Sequence, residues 1–123
     1  MKGYEDLEIY QKAYELAIEI HKLSLNLPKF ELYEQGSQIR RSSKRIKDTI
    51  AEGFGRRRYK DEFMRYLIFA QASCDEVLSQ LNMINQLYYQ EDPLDRLLSE
   101  YLHLAKMINR FIQYVENKWE TKS

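Results

Sequence analysis

Between residues 63 and 88, eight positions alternate in steps of four and three without a break: Phe63, Leu67, Ala70, Cys74, Val77, Leu81, Ile84 and Tyr88. That alternation keeps one stripe on one face of an α-helix, whereas a strand would scatter the same residues over both of its sides. The stripe predicts a helix over 59–89, about 45 Å long at 1.5 Å per residue. A helix this long and this narrowly apolar needs partners of similar length to cover it.

The rest of the chain supplies three. Ile9, Ala13, Leu16, Ile20, Leu23 and Leu27 repeat the spacing in a helix over 6–26, with Asp6 as candidate N-cap. Leu7, Tyr10, Tyr14 and Ala17 form a second stripe beside it, a wider apolar arc than one seam requires. That arc fits either a well-buried bundle helix or one that also packs against another subunit. Ile39, Ile46, Ile50 and Phe54, padded by Gly36, Ser42, Ser43 and Ala51, give a thin apolar face to a helix over 33–53. Its small residues suit close approach of neighbouring backbones, and Gly53-Phe54-Gly55 reads as its C-cap and turn. Leu94, Leu97, Tyr101, Leu104, Ile108, Phe111 and Val115, continued by Trp119, mark a fourth helix over 93–118. Asp92 is its candidate N-cap and Pro93 its first residue, and 120–123 reads as a frayed tail.

Breaks fall at Leu27-Pro28-Lys29-Phe30 and Gln90-Glu91-Asp92-Pro93, and only 4 Gly and 2 Pro occur in 123 residues, too few for a turn-rich sandwich or barrel. The predicted architecture is all-α: one domain over 1–123, a single antiparallel up-down-up-down four-helix bundle.

Several function classes find no support in the residues. A lone cysteine, Cys74, cannot form an intramolecular disulfide, and no apolar run approaches the roughly 20 residues of a membrane span. No signal peptide follows Met1-Lys2-Gly3-Tyr4-Glu5-Asp6, so the expected setting is the cytoplasm, with no membrane partner. No cofactor is expected, because Gly53-x-Gly55 follows a helix instead of opening one and so does not resemble a phosphate loop. His21 and His103 are the only histidines, and neither has a ligand at the i+3 or i+4 position that builds a bundle metal site, so no metal is expected. Glu15 and Glu19, near His21, read as solvent-facing acids. Cys74 lies in the apolar stripe and reads as a small buried hydrophobe, not a nucleophile. Arg96 and His103 form an Arg-x6-His pair on one helical face, a spacing known from metal-independent RNases of a different four-helix fold. Leu97 stands where such enzymes usually carry a polar residue. The expectation is a protein that is not an enzyme, with a metal-independent RNase using Arg96 and His103 as the second alternative.

Charge carries the strongest functional hint. The chain balances 19 basic against 19 acidic residues, yet residues 40–60 hold nine cations against Asp48 and Glu52. The cations are Arg40, Arg41, Lys44, Arg45, Lys47, Arg56, Arg57, Arg58 and Lys60. Clustered cations can neutralise phosphates and release counterions, which is the sequence-independent part of nucleic-acid affinity. Tyr59, Tyr66 and Phe54 lie close by in sequence and could stack on unpaired bases. The other reading is structural: the rest of the chain is net −7, so the segment would simply face acids on other helices or on a neighbouring subunit. Ten tyrosines suit partly wet contacts, and Tyr10, Tyr14, Tyr33, Tyr88, Tyr89 and Tyr114 are candidates for subunit interfaces.

The run Gln38-Ile39-Arg40-Arg41-Ser42-Ser43, followed by Ile50-Ala51-Glu52-Gly53-Phe54-Gly55-Arg56, resembles the signature of the four-helix-bundle family of 23S rRNA intervening-sequence proteins, often labelled S23 ribosomal proteins. Tyr4-Glu5-Asp6-Leu7, Gln11-Lys12-Ala13, Tyr59 to Leu67 and Ala72-Ser73-Cys74-Asp75-Glu76 fit the same pattern, so the resemblance covers residues 4–117. Two positions depart from it: Arg45 where Ser is common, and Thr49 where Asn is common, which removes an amide that could hydrogen-bond there. The resemblance implies a homo-oligomer, typically a ring of five subunits, in which repeated basic patches would add avidity. It also implies kinship with accessory proteins of diversity-generating retroelements, which work beside a reverse transcriptase and nucleic acid. The expected partners are therefore the chain itself, RNA or DNA, and a nucleic-acid enzyme. The alternative is a protein-interaction scaffold that binds no nucleic acid and uses the basic segment to close the ring.

Overall fold

The stripe that begins at Phe63 runs down the inside of a four-helix bundle. The structure, a computed structural model, describes residues 2–120, in which α1 (Glu8–Leu25), α2 (Gln35–Gly55), α3 (Lys60–Tyr88) and α4 (Asp95–Lys118) follow one another through short connections. Short 3-10 turns at Tyr4–Asp6 and Lys29–Tyr33 lead into α1 and α2.

Side-chain contacts fix the directions. Between α1 and α4, Lys12 pairs with Glu100 and Glu19 pairs with Arg96, so one helix descends as the other rises. Between α2 and α3, the Ser42 hydroxyl donates to Gln80 Oε1 at 2.6 Å, and Gly53 lies against Tyr66 at the other end. Between α3 and α4, the Cys74 thiol donates to the Tyr101 carbonyl at 3.6 Å, and Lys60 Nζ donates to the Glu116 carbonyl at 2.6 Å. Each helix packs antiparallel on the next and α4 closes on α1, the sparsest of the four seams.

The seam residues form the core. Ile20, Ile39, Ile46, Ile50, Phe63, Leu67, Leu81, Ile84, Tyr101, Leu104 and Ile108 are fully buried, and each apolar side chain of this kind contributes about 1.5–3 kcal/mol on burial. Seven of the eight stripe positions of α3 are buried and Tyr88 is half-buried. Its hydroxyl donates to the Glu31 carboxylate at 2.5 Å, and that contact, more than burial, pushes the phenol up to about 12. Glu31 is itself buried and also accepts the Gln35 N–H at 3.4 Å, so the turn before α2 is tied to the end of α3. Trp119 continues the α4 seam as expected, its ring 5.2 Å from that of Phe63.

Helix ends depart from the sequence expectation. Asp6 does not cap α1, because its carboxylate accepts the N–H groups of Lys2 and Gly3 at 2.8 and 3.4 Å within the preceding turn, and Leu7 takes the N-cap position. Asp92 and Pro93 likewise precede α4 without starting it. There the N-cap is Leu94, whose N–H is taken by Asn85 Oδ1 of α3 at 2.8 Å. The second helix begins two residues later than expected, at Gln35, because Lys29–Tyr33 winds as a 3-10 turn. It also runs on through Gly55. No glycine has positive φ among the described residues, so Gly53 and Gly55 are not left-handed caps. Gly53 serves packing instead: a Cβ there would stand 2.8 Å from Tyr66 Cβ. The frayed tail expected at 120–123 lies outside the described residues from 121 onward.

Candidate nucleic-acid interface

A helix turns 100° per residue, so a run of cations in sequence cannot stay together on α2. The nine predicted residues fall into four settings.

Two are engaged by carbonyls of other parts of the bundle. Arg40 is half-buried, donating from Nη2 to the Leu32 carbonyl at 2.7 Å and from Nη1 to Ser24 Oγ at 3.0 Å. It therefore ties α2 to the end of α1 and to the connection between them. Lys60 holds the start of α3 to the Glu116 carbonyl of α4. Lys44 and Lys47 line a groove between α1 and α2 whose floor is Tyr14, Ala17 and Ile18 and whose rim adds His21 and Lys22. Lys47 is bonded to Asp48 at 2.6 Å, which is the main reason its ammonium pKa is raised.

Arg41 and Arg45 are exposed on the outward face of α2, and Arg45 lines the other groove, between α2 and α3, with Thr49, Glu52, Tyr66, Phe69 and Glu76. The Thr49 hydroxyl donates to the Arg45 carbonyl one turn back, so the position that departs from the family pattern is satisfied within its own helix.

Arg56, Arg57 and Arg58 form the turn from α2 into α3, where an aromatic cluster gives them a firm base. Phe54 and Phe63 meet edge to face at 6.2 Å, and Phe63 also meets Phe111 at 5.9 Å. All three arginines lie near rings. Arg57 stands 4.0 Å from the Phe54 ring centre and donates to the Phe54 carbonyl at 2.8 Å. Arg56 lies 4.7 Å from the Tyr66 ring and Arg58 5.8 Å from the Tyr59 ring. The turn also sits at the C-terminus of α2, where the helix dipole favours cations.

Sequence reasoning missed two members of this surface. Arg65 lies 5.4 Å from the Phe69 ring, and Phe69 meets Tyr66 at 5.7 Å. Arg56, Tyr66, Phe69 and Arg65 thus form a cation-ring-ring-cation run from the end of α2 onto α3. The signal was the i, i+3 and i, i+4 spacing of Tyr66, Phe69 and Arg65, just past the end of the charge run.

No cation among Arg41, Lys44, Arg45, Arg56, Arg57 and Arg58 has a carboxylate partner among the described residues; the ion pairs there are Lys12–Glu100, Lys47–Asp48, Arg65–Glu62 and Arg96–Glu19. Among the described residues, no acid of another helix is ion-paired with these six.

The Arg-x6-His pair is not assembled into a cleft. Arg96 bonds to Glu19 and lines a groove with Lys22, Leu23 and Asn26 that does not include the exposed His103. Cys74 is buried, and burial pushes its thiol up to about 12. No helix among the described residues is long and apolar enough to cross a membrane.

A model of the family described as 23S rRNA-intervening sequence protein matches residues 5–110. No curated protein matches the chain.

Proposed function

The chain belongs to the 23S rRNA-intervening sequence protein family, and from that premise we propose a non-enzymatic, cytoplasmic homo-oligomer, a ring of five, that binds nucleic acid through its basic surface. The observation that carries the reading is the set of six exposed, carboxylate-free cations, Arg41, Lys44, Arg45, Arg56, Arg57 and Arg58. Unpaired surface cations repel one another, and a phosphate backbone relieves that repulsion while releasing counterions. The contact is positional, not sequence-reading, because none of these groups sits in a pocket shaped for a base edge.

Assembly is supported by apolar side chains left in water. Tyr14, Ile18 and Leu25 on the outside of α1 are 46, 44 and 58% exposed. Tyr14 belongs to the second apolar stripe of that helix and Ile18 and Leu25 extend it, and in a ring they would be covered while five basic surfaces add avidity.

A second reading, contact with a protein such as a nucleic-acid enzyme, is favoured by the α1–α2 groove. Its apolar floor and the cationic rim of Lys22, Lys44 and Lys47 suit an acidic protein segment better than a phosphate chain.

The test is fluorescence anisotropy with labelled RNA and DNA across a salt series, once light scattering has given the oligomer mass. Binding should fall steeply with salt, and changing Arg56, Arg57 and Arg58 together to Ala should flatten the salt slope by about 3 per engaged subunit. Absence of binding at low salt by the assembled protein would refute the nucleic-acid reading. A monomeric mass would refute the ring.

A further inference from the structure

Resting on that nucleic-acid reading, we infer that the surface at the α2–α3 turn takes unpaired strand in preference to duplex, with phosphates on Arg56, Arg57 and Arg58 and bases stacking on Tyr59 and Phe69.

Cations alone would serve any phosphate backbone equally. This surface pairs its arginines with rings: Arg56 with Tyr66, Arg57 with Phe54, Arg58 with Tyr59 and Arg65 with Phe69, at 4.7, 4.0, 5.8 and 5.4 Å. These pairs hold cations and aromatic surface side by side, so one strand can meet both at once. Tyr59 is 63% exposed and Phe69 44% exposed, so both also offer ring surface to solvent. Bases in a duplex already stack on one another and keep their faces hidden, so only an unpaired strand can use these planes.

The charge pattern agrees. The groove that carries Phe69 and Tyr66 is lined by Glu52 and Glu76 as well as Arg45. Carboxylates there oppose a phosphate track along the groove, because like charges repel. Phosphates are therefore directed to Arg56, Arg57 and Arg58 at the turn, and bases to the rings beside them. Tyr59 is the N-cap of α3 and Phe69 lies within that helix, an edge that does not have to be ordered on binding.

The full chain would be titrated by anisotropy with a thymidine homopolymer strand, an abasic strand of the same length and a mixed-sequence duplex, all at one low salt concentration. The thymidine strand should bind most tightly. Tyr59→Ala with Phe69→Ala should weaken it by about tenfold or more while leaving the abasic strand unchanged. If all three probes bind alike and the double variant matches wild type, the stacking inference is overturned and the phosphate reading stands. If the thymidine preference survives both substitutions, the inference fails as well, because these rings do not cause it. Binding to none of the three overturns the underlying nucleic-acid reading. Should the double variant fail to fold, Tyr59→Ala alone keeps the test, since a side chain so exposed leaves the core untouched; a matching thymidine affinity would then exclude Tyr59 as a stacking ring.

Discussion

Gly53 and Gly55 lie two residues apart in the last turns of α2, yet replacing each by alanine should move stability in opposite directions. In a helix, alanine is favoured over glycine by about 0.5–1 kcal/mol, because glycine loses more backbone freedom on folding. At Gly55 nothing lies within 4 Å of the new Cβ. Only the propensity gain remains there, reduced toward about 0.5 kcal/mol by fraying of the final turn. At Gly53 the new Cβ would meet Tyr66 Cβ at 2.8 Å, an atom next to the α3 backbone that cannot swing aside. The two helices must separate, and overpacking of this kind costs about 1–3 kcal/mol. Set against the propensity gain, the net loss is about 1–2 kcal/mol, which lowers the thermal midpoint by about 4–8 °C. Circular dichroism melts at one fixed protein concentration measure both variants under the same assembly conditions. Two results would refute the reasoning. Gly53→Ala equal to or more stable than wild type would mean that α2 and α3 are not in close approach there. Gly55→Ala as damaging as Gly53→Ala would mean that both glycines act as left-handed caps, the role their sequence position suggested.

Arg40→Met should cost roughly 1–3 kcal/mol in urea unfolding, through loss of the hydrogen bonds to Leu32 and Ser24, yet leave oligonucleotide affinity unchanged under conditions where the variant is folded. Native Cys74 should resist thiol reagents at neutral pH, because its thiol is buried and pushed up to about 12; labelling should quicken with urea in step with unfolding, and fast labelling in buffer alone would contradict its place in the core. Stability should also fall on the alkaline side. The folded pKa values of Cys74 and Tyr88 are each pushed up to about 12, against ordinary values of 9.0 and 10.0. The unfolded chain loses those protons first, so the stability these groups contribute is fully present below pH 9 and is lost as pH rises through 12. Tyr88→Phe should blunt the part of this loss that begins near pH 10, measured as midpoint against pH.

The core was legible because it depends on a period. Every position from Phe63 to Ile84 in the α3 stripe is buried, since the 4-3 spacing is set by helix geometry whatever the neighbours are. The helix ends were less legible because capping depends on which oxygen reaches which N–H. Asp6 and Asp92 have the residue type that caps helices, but the Asp6 carboxylate is occupied within its own turn, and the Leu94 N–H is met by Asn85, nine residues back on another helix. Nothing local in the sequence announces either partner. Gly53 shows the same limit, since its reason lies in Tyr66, across the helix interface.

The basic segment was legible as a count of charges and not as a surface. Nine cations in 21 residues say nothing about which of them the bundle itself employs. Arg40 and Lys60 are held by carbonyls that come near only when the helices pack, and helical rotation sends Lys44 and Arg45, adjacent in sequence, to different grooves. Rotation also brings in what the charge count left out. Arg65 and Phe69, one turn apart on α3, join Arg56 through Tyr66 because the missing side chain of Gly53 lets α2 and α3 come close there. The glycine that sequence reasoning assigned to a cap thus helps set the spacing of the arginine-ring surface. Gly53→Ala should therefore disturb the Arg56–Tyr66 contact as well as the packing beneath it, linking the fold of the α2–α3 turn to whatever that turn binds.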